Sequence, residues 1–215
     1  NNWLTGHGGS AASDVCGGVI TWTHDYVAGN WISDCGNTKH VTVVFTATDE
    51  CGNSTTTSAT FTIEDNTAPS ITTPAANQTE ECDGLGNTVA FNNWLTGHGG
   101  SAASDVCGGA ITWTNDYAAG NWITDCGNTK HVTVVFTATD ECGNSTTTSA
   151  TFTIEDNTAP SITTAAGDQT VECDGSGNTA AFNAWLAGHA GSAATDVCGG
   201  AITWTNDYAA GNWIT

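Results

Sequence analysis

Apolar residues recur at every second position from His131 to Thr139, where HVTVVFTAT places Val132, Val134, Phe136 and Ala138 on one face and only Val135 interrupts the polar one. TSATFTIE, Thr148 to Glu155, does the same with Ala150, Phe152 and Ile154 and turns threonines outward. Successive side chains of a strand point to opposite faces, so a period of two predicts half-buried antiparallel strands. ITWT at Ile111 to Thr114 and SITT at Ser70 to Thr73 predict two more. The period changes in NTVAFNNWLTG, Asn87 to Gly97, where Phe91, Trp94 and Leu95 follow helical spacing. An Asn-Thr start can cap a helix and a glycine can end one, which predicts a single short helix there. The pattern as a whole predicts an all-β fold built of immunoglobulin-like β-sandwich modules, each with one short helix.

The pattern also repeats. FTATDECGNSTTTSATFTIEDNTAP at Phe45 to Pro69 returns unchanged at Phe136 to Pro160, 91 residues on. Laid over residues 92–215, residues 1–124 differ at 14 positions and match at 110. A period of 91 residues is the size of one small domain, and self-similarity at a fixed period marks a tandem array. Proline fixes φ and biases the residue before it towards extended backbone, so Thr-Ala-Pro in EDNTAPS reads as a short stiff connector. Cutting there predicts a complete module over 67–157, a module over 1–66 lacking its beginning and one over 158–215 lacking its end. The expectation is a segment of a longer polypeptide.

Charge narrows the partners. Two Lys and Arg against 22 Asp and Glu give a formal charge of −20, which speaks against nucleic acid, whose phosphates need Lys and Arg. No apolar run predicts insertion into a membrane. Residues 65–155 hold ten acids and one lysine, Lys130, so stacked modules would repel one another unless cations bind. Nine cysteines recur four to a period, with no CxxC pair and no zinc-site spacing. Regular, even cysteines in small modules predict disulfides, two per module, and an oxidising extracellular compartment.

VTVVFTATDECGN followed by a strand and EDNTAP resembles HYR-like and bacterial immunoglobulin-like repeats. The fuller pattern, from ECDG through WLTGHGG, DVCGG, DCGNT and TATDECGN to DNTAP, is similar to repeats of giant cell-surface adhesins of gliding and related Bacteroidota. That resemblance covers every period and implies cell adhesion, display on the cell surface and export by type 9 secretion. Cysteines sit differently in HYR modules, so no disulfide pairing carries over from them.

Sandwich order places ECDG and DCGNT at the module end distal to its N-terminus, and DVCGG and TDECGN at the other end. Cysteines bridge only when their Cα atoms lie within about 7 Å, so like ends pair. This favours Cys82–Cys126 and Cys107–Cys142, with Cys16–Cys51 by repetition. The sequential pairing, Cys82–Cys107 with Cys126–Cys142, stays open. Cys35, Cys173 and Cys198 would find mates only outside residues 1–215. The same geometry brings linker Asp65 towards Asp105, Asp140 and Glu141 of the next module, and Asp156 towards Asp196. Converging carboxylates predict a Ca²⁺ site, since calcium takes six to eight oxygens. Asx turns beside the cysteines are the plainer reading of the same residues.

Nothing in the chain has the spacing of a nucleophile elbow, metalloprotease helix, phosphate loop or dinucleotide fingerprint, so no enzyme is expected. Trp94, Trp113 and Trp122 lie in apolar or strand-like contexts, and core packing is favoured over sugar stacking. The sequence thus predicts a structural stalk or filament segment that contacts neighbouring repeats, with lateral filament contacts and surface glycans as further partners. A carbohydrate-binding array using tryptophan and threonine faces is the alternative.

Overall fold

A computed structural model of the chain describes residues 2–209; Asn1 and residues 210–215 lie outside it. In chain order the strands are β1 (Thr21–His24), β2 (Ile32–Ser33), β3 (Lys39–Thr48), β4 (Ser54–Ile63), β5 (Ser70–Thr73), β6 (Gln78–Glu81) and β7 (Ala102–Ser104). They continue with β8 (Thr112–Asn115), β9 (Ile123–Thr124), β10 (Lys130–Thr139), β11 (Ser145–Glu155), β12 (Ser161–Thr164) and β13 (Ala193–Thr195). Three short helices, α1 (Asn2–Thr5), α2 (Thr88–Thr96) and α3 (Thr179–Ala187), occupy matching places in the repeats. The all-β class with a short helix to each repeat, expected from the alternation, is observed. Contacts gather the chain into two compact units: Asn1–Pro74 with Ser101–Thr114 and Phe136–Thr148, and Ala75–Gly100 with Asn115–Val135 and Ser149–Thr215.

In the first unit β3 is central, paired antiparallel with β1, β2 and β4. The β3–β4 hairpin keeps one register from Lys39 opposite Ile63 to Thr48 opposite Ser54. Its alternation works as predicted: Val41, Val43 and Phe45 are buried, and Trp3, Leu4, Trp22, Tyr26, Trp31 and Ala59 pack on them. Burying each of the three is worth roughly 1.5–3 kcal/mol. On the polar face Thr42 and Thr60 share a hydrogen bond of 2.8 Å between their hydroxyls, the cross-strand pairing threonines favour. Strands β5 and β7 form a separate antiparallel pair.

The second unit is organised around α2. Phe91 and Trp94 are buried on its inner face, with ring centroids 5.3 and 5.5 Å from Phe152 of β11. The Trp94 indole N–H donates to the Ala76 carbonyl at 2.9 Å, so the ring's one polar atom is satisfied. Lys130 sits 4.6 Å over the Trp122 ring. Two local expectations are corrected. Strand β6 pairs with Phe152–Glu155 of β11 in parallel, where only antiparallel neighbours were expected. Asn87 has left-handed backbone, φ 53°, and makes no side-chain cap. Its amide instead donates to the Glu81 carbonyl and accepts the Asp83 N–H, tying helix to loop.

Candidate functional site

The four cysteine-bearing loops define the functional geometry. In DCGNT, residues 34–38, the Thr38 hydroxyl donates to the Cys35 carbonyl at 2.6 Å, and the Thr38 N–H reaches the same carbonyl at 2.9 Å. This closes a tight turn that needs left-handed backbone at Gly36, φ 55°. A Cβ there would lie 3.2 Å from the Gly108 carbonyl oxygen, so glycine is required twice over. The turn is therefore pressed against DVCGG of the following repeat, and Asn37 N–H donates to the Cys107 carbonyl at 3.2 Å. Glu141 clamps the arrangement, accepting Ala110 N–H at 3.0 Å and Gly36 N–H at 2.9 Å. Those two backbone donors, Ala110 first, hold its carboxyl below the ordinary glutamate range. Cys35 is disulfide-bonded to Cys142, Cα atoms 5.2 Å apart.

The same turn recurs at 125–129. Gly127 has φ 56°, and its added Cβ would lie 3.0 Å from the Gly199 carbonyl oxygen. Asn128 N–H donates to the Cys198 carbonyl at 3.1 Å. Here the covalent bond is Cys82–Cys198, Cα atoms 5.6 Å apart. It draws ECDG against DVCGG of the next repeat so closely that a Cβ on Gly84 would lie 2.9 Å from the Val197 carbonyl oxygen. Glu81, beside the bond, accepts the Thr158 hydroxyl at 2.8 Å and Asn157 N–H at 3.0 Å. These lower its pKa, the Thr158 hydroxyl most.

The disulfide expectations are corrected. Cys82 bonds Cys198 instead of Cys126, and Cys142 bonds Cys35 instead of Cys107. Cys16 and Cys51 are both unbonded and exposed. Neither Cys82–Cys107 nor Cys126–Cys142 forms. Cys35 and Cys198, expected to lack partners within the chain, both have one. The premise that like ends pair considered only loops of a single module, whereas loops of consecutive repeats approach just as closely. Contacts spanning more than 100 residues leave no local signature; the visible signal was DCGNT itself, a repeated turn with glycine beside the cysteine.

The predicted calcium residues divide. Asp65, Asp105 and the Cys107 sulfur offer ligand atoms within 4.8 Å of one another, as do Asp156, Asp196 and the Cys198 sulfur. Each carboxylate also holds its own Asx turn: Asp65 to Thr67 N–H, Asp105 to Cys107 N–H, Asp156 to Thr158 N–H and Asp196 to Cys198 N–H. Asp140 and Glu141 lie outside these groups. Asp140 accepts the N–H groups of Cys142 and Asn144 and the Asn144 amide. Burial pushes its pKa up, but these bonds outweigh it and leave the carboxyl below its ordinary range. Burial, then the charges of Asp65 and Asp105, push the Cys107 thiol up.

Trp94 is buried and Trp113 and Trp122 are half-buried, as packing predicts. No helix among the described residues is long and apolar enough to cross a membrane. No family model and no curated protein matches the chain. Among solved structures it is similar to Drosophila N-cadherin EC1-4, with 14% identity and a TM-score of 0.28 over 65% of this chain. It is also similar to protocadherin gammaB7 EC3-6, with 12% identity and a TM-score of 0.27 over 73%. The chain spans 42% and 46% of those two chains. Likeness at this level carries no conclusion about binding or activity.

Proposed function

We propose that the chain is a length of extracellular stalk: tandem β-modules, with boundaries at 67 and 157, that hold an adhesive part of a cell-surface protein away from its anchor. The observation that carries this reading is the near-identical 91-residue repeat stitched by disulfides across more than 100 residues. An active site repeated unchanged in neighbouring modules serves no purpose, whereas length is gained by each copy. Disulfides persist in oxidising compartments, and this supports an extracellular setting. Export by type 9 secretion and assembly into gliding-type surface filaments belong to the same proposal, as the sequence resemblance implies.

Calcium would stiffen the joints. The paired carboxylates Asp65 with Asp105 and Asp156 with Asp196 are hard oxygen donors of the kind a divalent cation takes, while the neighbouring sulfur is not. Cation binding there would relieve the repulsion within each pair. A chelator is then expected to lower the melting temperature and loosen the joints in small-angle scattering, and Asp65→Asn to abolish only its own joint's share. Unchanged melting and dimensions would remove calcium from the proposal. For the stalk itself, electron microscopy of a longer array should show a rod with beads at a regular interval; a compact globule would overturn it.

A further inference from the structure

The two stapled places are one and the same junction, each showing half of it. At the first, DCGNT of one repeat lies on DVCGG of the next through Gly36 and Asn37, and the bond present is Cys35–Cys142. At the second, DCGNT lies on DVCGG through Gly127 and Asn128 in the same way, and the bond present is Cys82–Cys198. Translation by 91 residues turns Cys35 into Cys126 and Cys198 into Cys107, so the unbonded cysteine at each place matches a bonded one at the other. Partner spacings are 107 residues for the first bond and 116 for the second. Counting by those spacings, all five unbonded cysteines, Cys16, Cys51, Cys107, Cys126 and Cys173, have partner positions beyond residues 1–215.

We infer that every junction between successive repeats carries two disulfides, ECDG to the next DVCGG and DCGNT to the next DECGN, so that all four cysteines of a repeat are spent between repeats and none within one. Cys107 is thus a half-site for the preceding repeat, and Cys126 a half-site for the following one. Each bond forms by thiol–disulfide exchange with an external disulfide, two thiols losing two protons and two electrons as that disulfide is reduced to two thiols. The glycine contacts and the Glu141 clamp set the loops in register before the sulfurs meet. The ladder holds for any array of these repeats, whether or not the array is a stalk.

The test counts free thiols after folding in a glutathione and glutathione-disulfide buffer, by mass after alkylation. The 215-residue chain is expected to take up five alkyl groups, whereas pairing within repeats, Cys16–Cys51, Cys82–Cys126 and Cys107–Cys142, would leave three. A second copy of residues 125–215 is then appended, continuing the repeat in phase after Thr215 and adding four cysteines. The count should stay at five, because Cys126 and Cys173 gain partners while two new half-sites appear. Cys126→Ser should lower the count by one in the original chain and raise it by one in the lengthened chain, since it strands a partner there. Cys107→Ser should lower it by one in both. A count of three in the original chain, or Cys126→Ser lowering the count in the lengthened one, overturns the ladder.

Discussion

Gly36 and Gly127 show how much one residue can decide. Each has left-handed backbone and lies where a methyl group would meet a carbonyl oxygen at 3.2 and 3.0 Å. Gly36→Ala should therefore cost about 1–3 kcal/mol by urea titration, through strain and overpacking together. It should also expose Cys35 to reduction sooner than Cys82. The carboxylates beside these loops respond to acid. Asp49, Glu81, Asp83, Asp140, Glu141 and Asp174 all have lowered pKa values in the fold. The unfolded chain takes up protons first, at its ordinary values of 4.5 for Glu and 3.8 for Asp. Stability from these groups is thus complete above that range and falls as pH drops through it towards the lower folded values. A denaturation midpoint that stays flat from pH 6 to pH 3 would contradict this. At the other end of the scale, Cys107 should be alkylated slowly at pH 8 and catch up only at higher pH than an ordinary thiol.

At the scale of elements, β10 was legible in the sequence because a strand's period is local: Val132, Val134, Phe136 and Ala138 are all fully buried. Helix α2 was legible for the same reason, from Phe91 and Trp94. What escaped was set by distant partners. Asn87 has a capping residue's chemistry, but Glu81 and Asp83 compete for its side chain and win. Asp65 and Asp105 approach one another across their loops, whereas nothing local marks Glu141 as a clamp on Gly36. Burial of the same strand also differs between copies. Phe152 and Ile154 of β11 are 0% and 1% exposed, but their equivalents Phe61 and Ile63 of β4 are 38% and 40% exposed. Among the described residues, β11 is covered by β6 along its edge and by both Phe91 and Trp94 of α2, whereas β4 pairs with β3 alone and keeps Trp3 of α1, its ring centroid 5.4 Å from Phe61, and Trp31 as its aromatic neighbours. Phe152→Ala should accordingly cost about 3–5 kcal/mol, and Phe61→Ala much less, by chemical denaturation. Equal costs would mean that the two faces are equally covered.

For the whole molecule, the two disulfides dominate the ledger of the unfolded state. Closing a loop of about 100 residues is worth roughly 4.7 kcal/mol on chain-entropy grounds, with measured native bridges at about 2–5. Cys35→Ser and Cys82→Ser should each lower stability by that amount in guanidinium titrations, and a loss well under 1 kcal/mol would mean that the unfolded chain gains little freedom. The bonds also interleave: Cys82 lies inside the loop closed by Cys35–Cys142, and Cys198 lies outside it. Pulled from its two ends, the protein behaves as a circuit with parallel branches. One branch runs along the chain from Cys35 to Cys82 and crosses to Cys198; the other crosses first to Cys142 and then follows the chain. The stretch between Cys82 and Cys142, where α2 and β10 lie, bridges the branches and is largely relieved of tension. The shorter branch bypasses 116 residues, which at ~3.5 Å each is on the order of 400 Å of slack kept out of reach while the sulfurs hold. In an optical trap, adding a reductant should release that length, making this a tether whose reach is set by redox chemistry before it is set by folding.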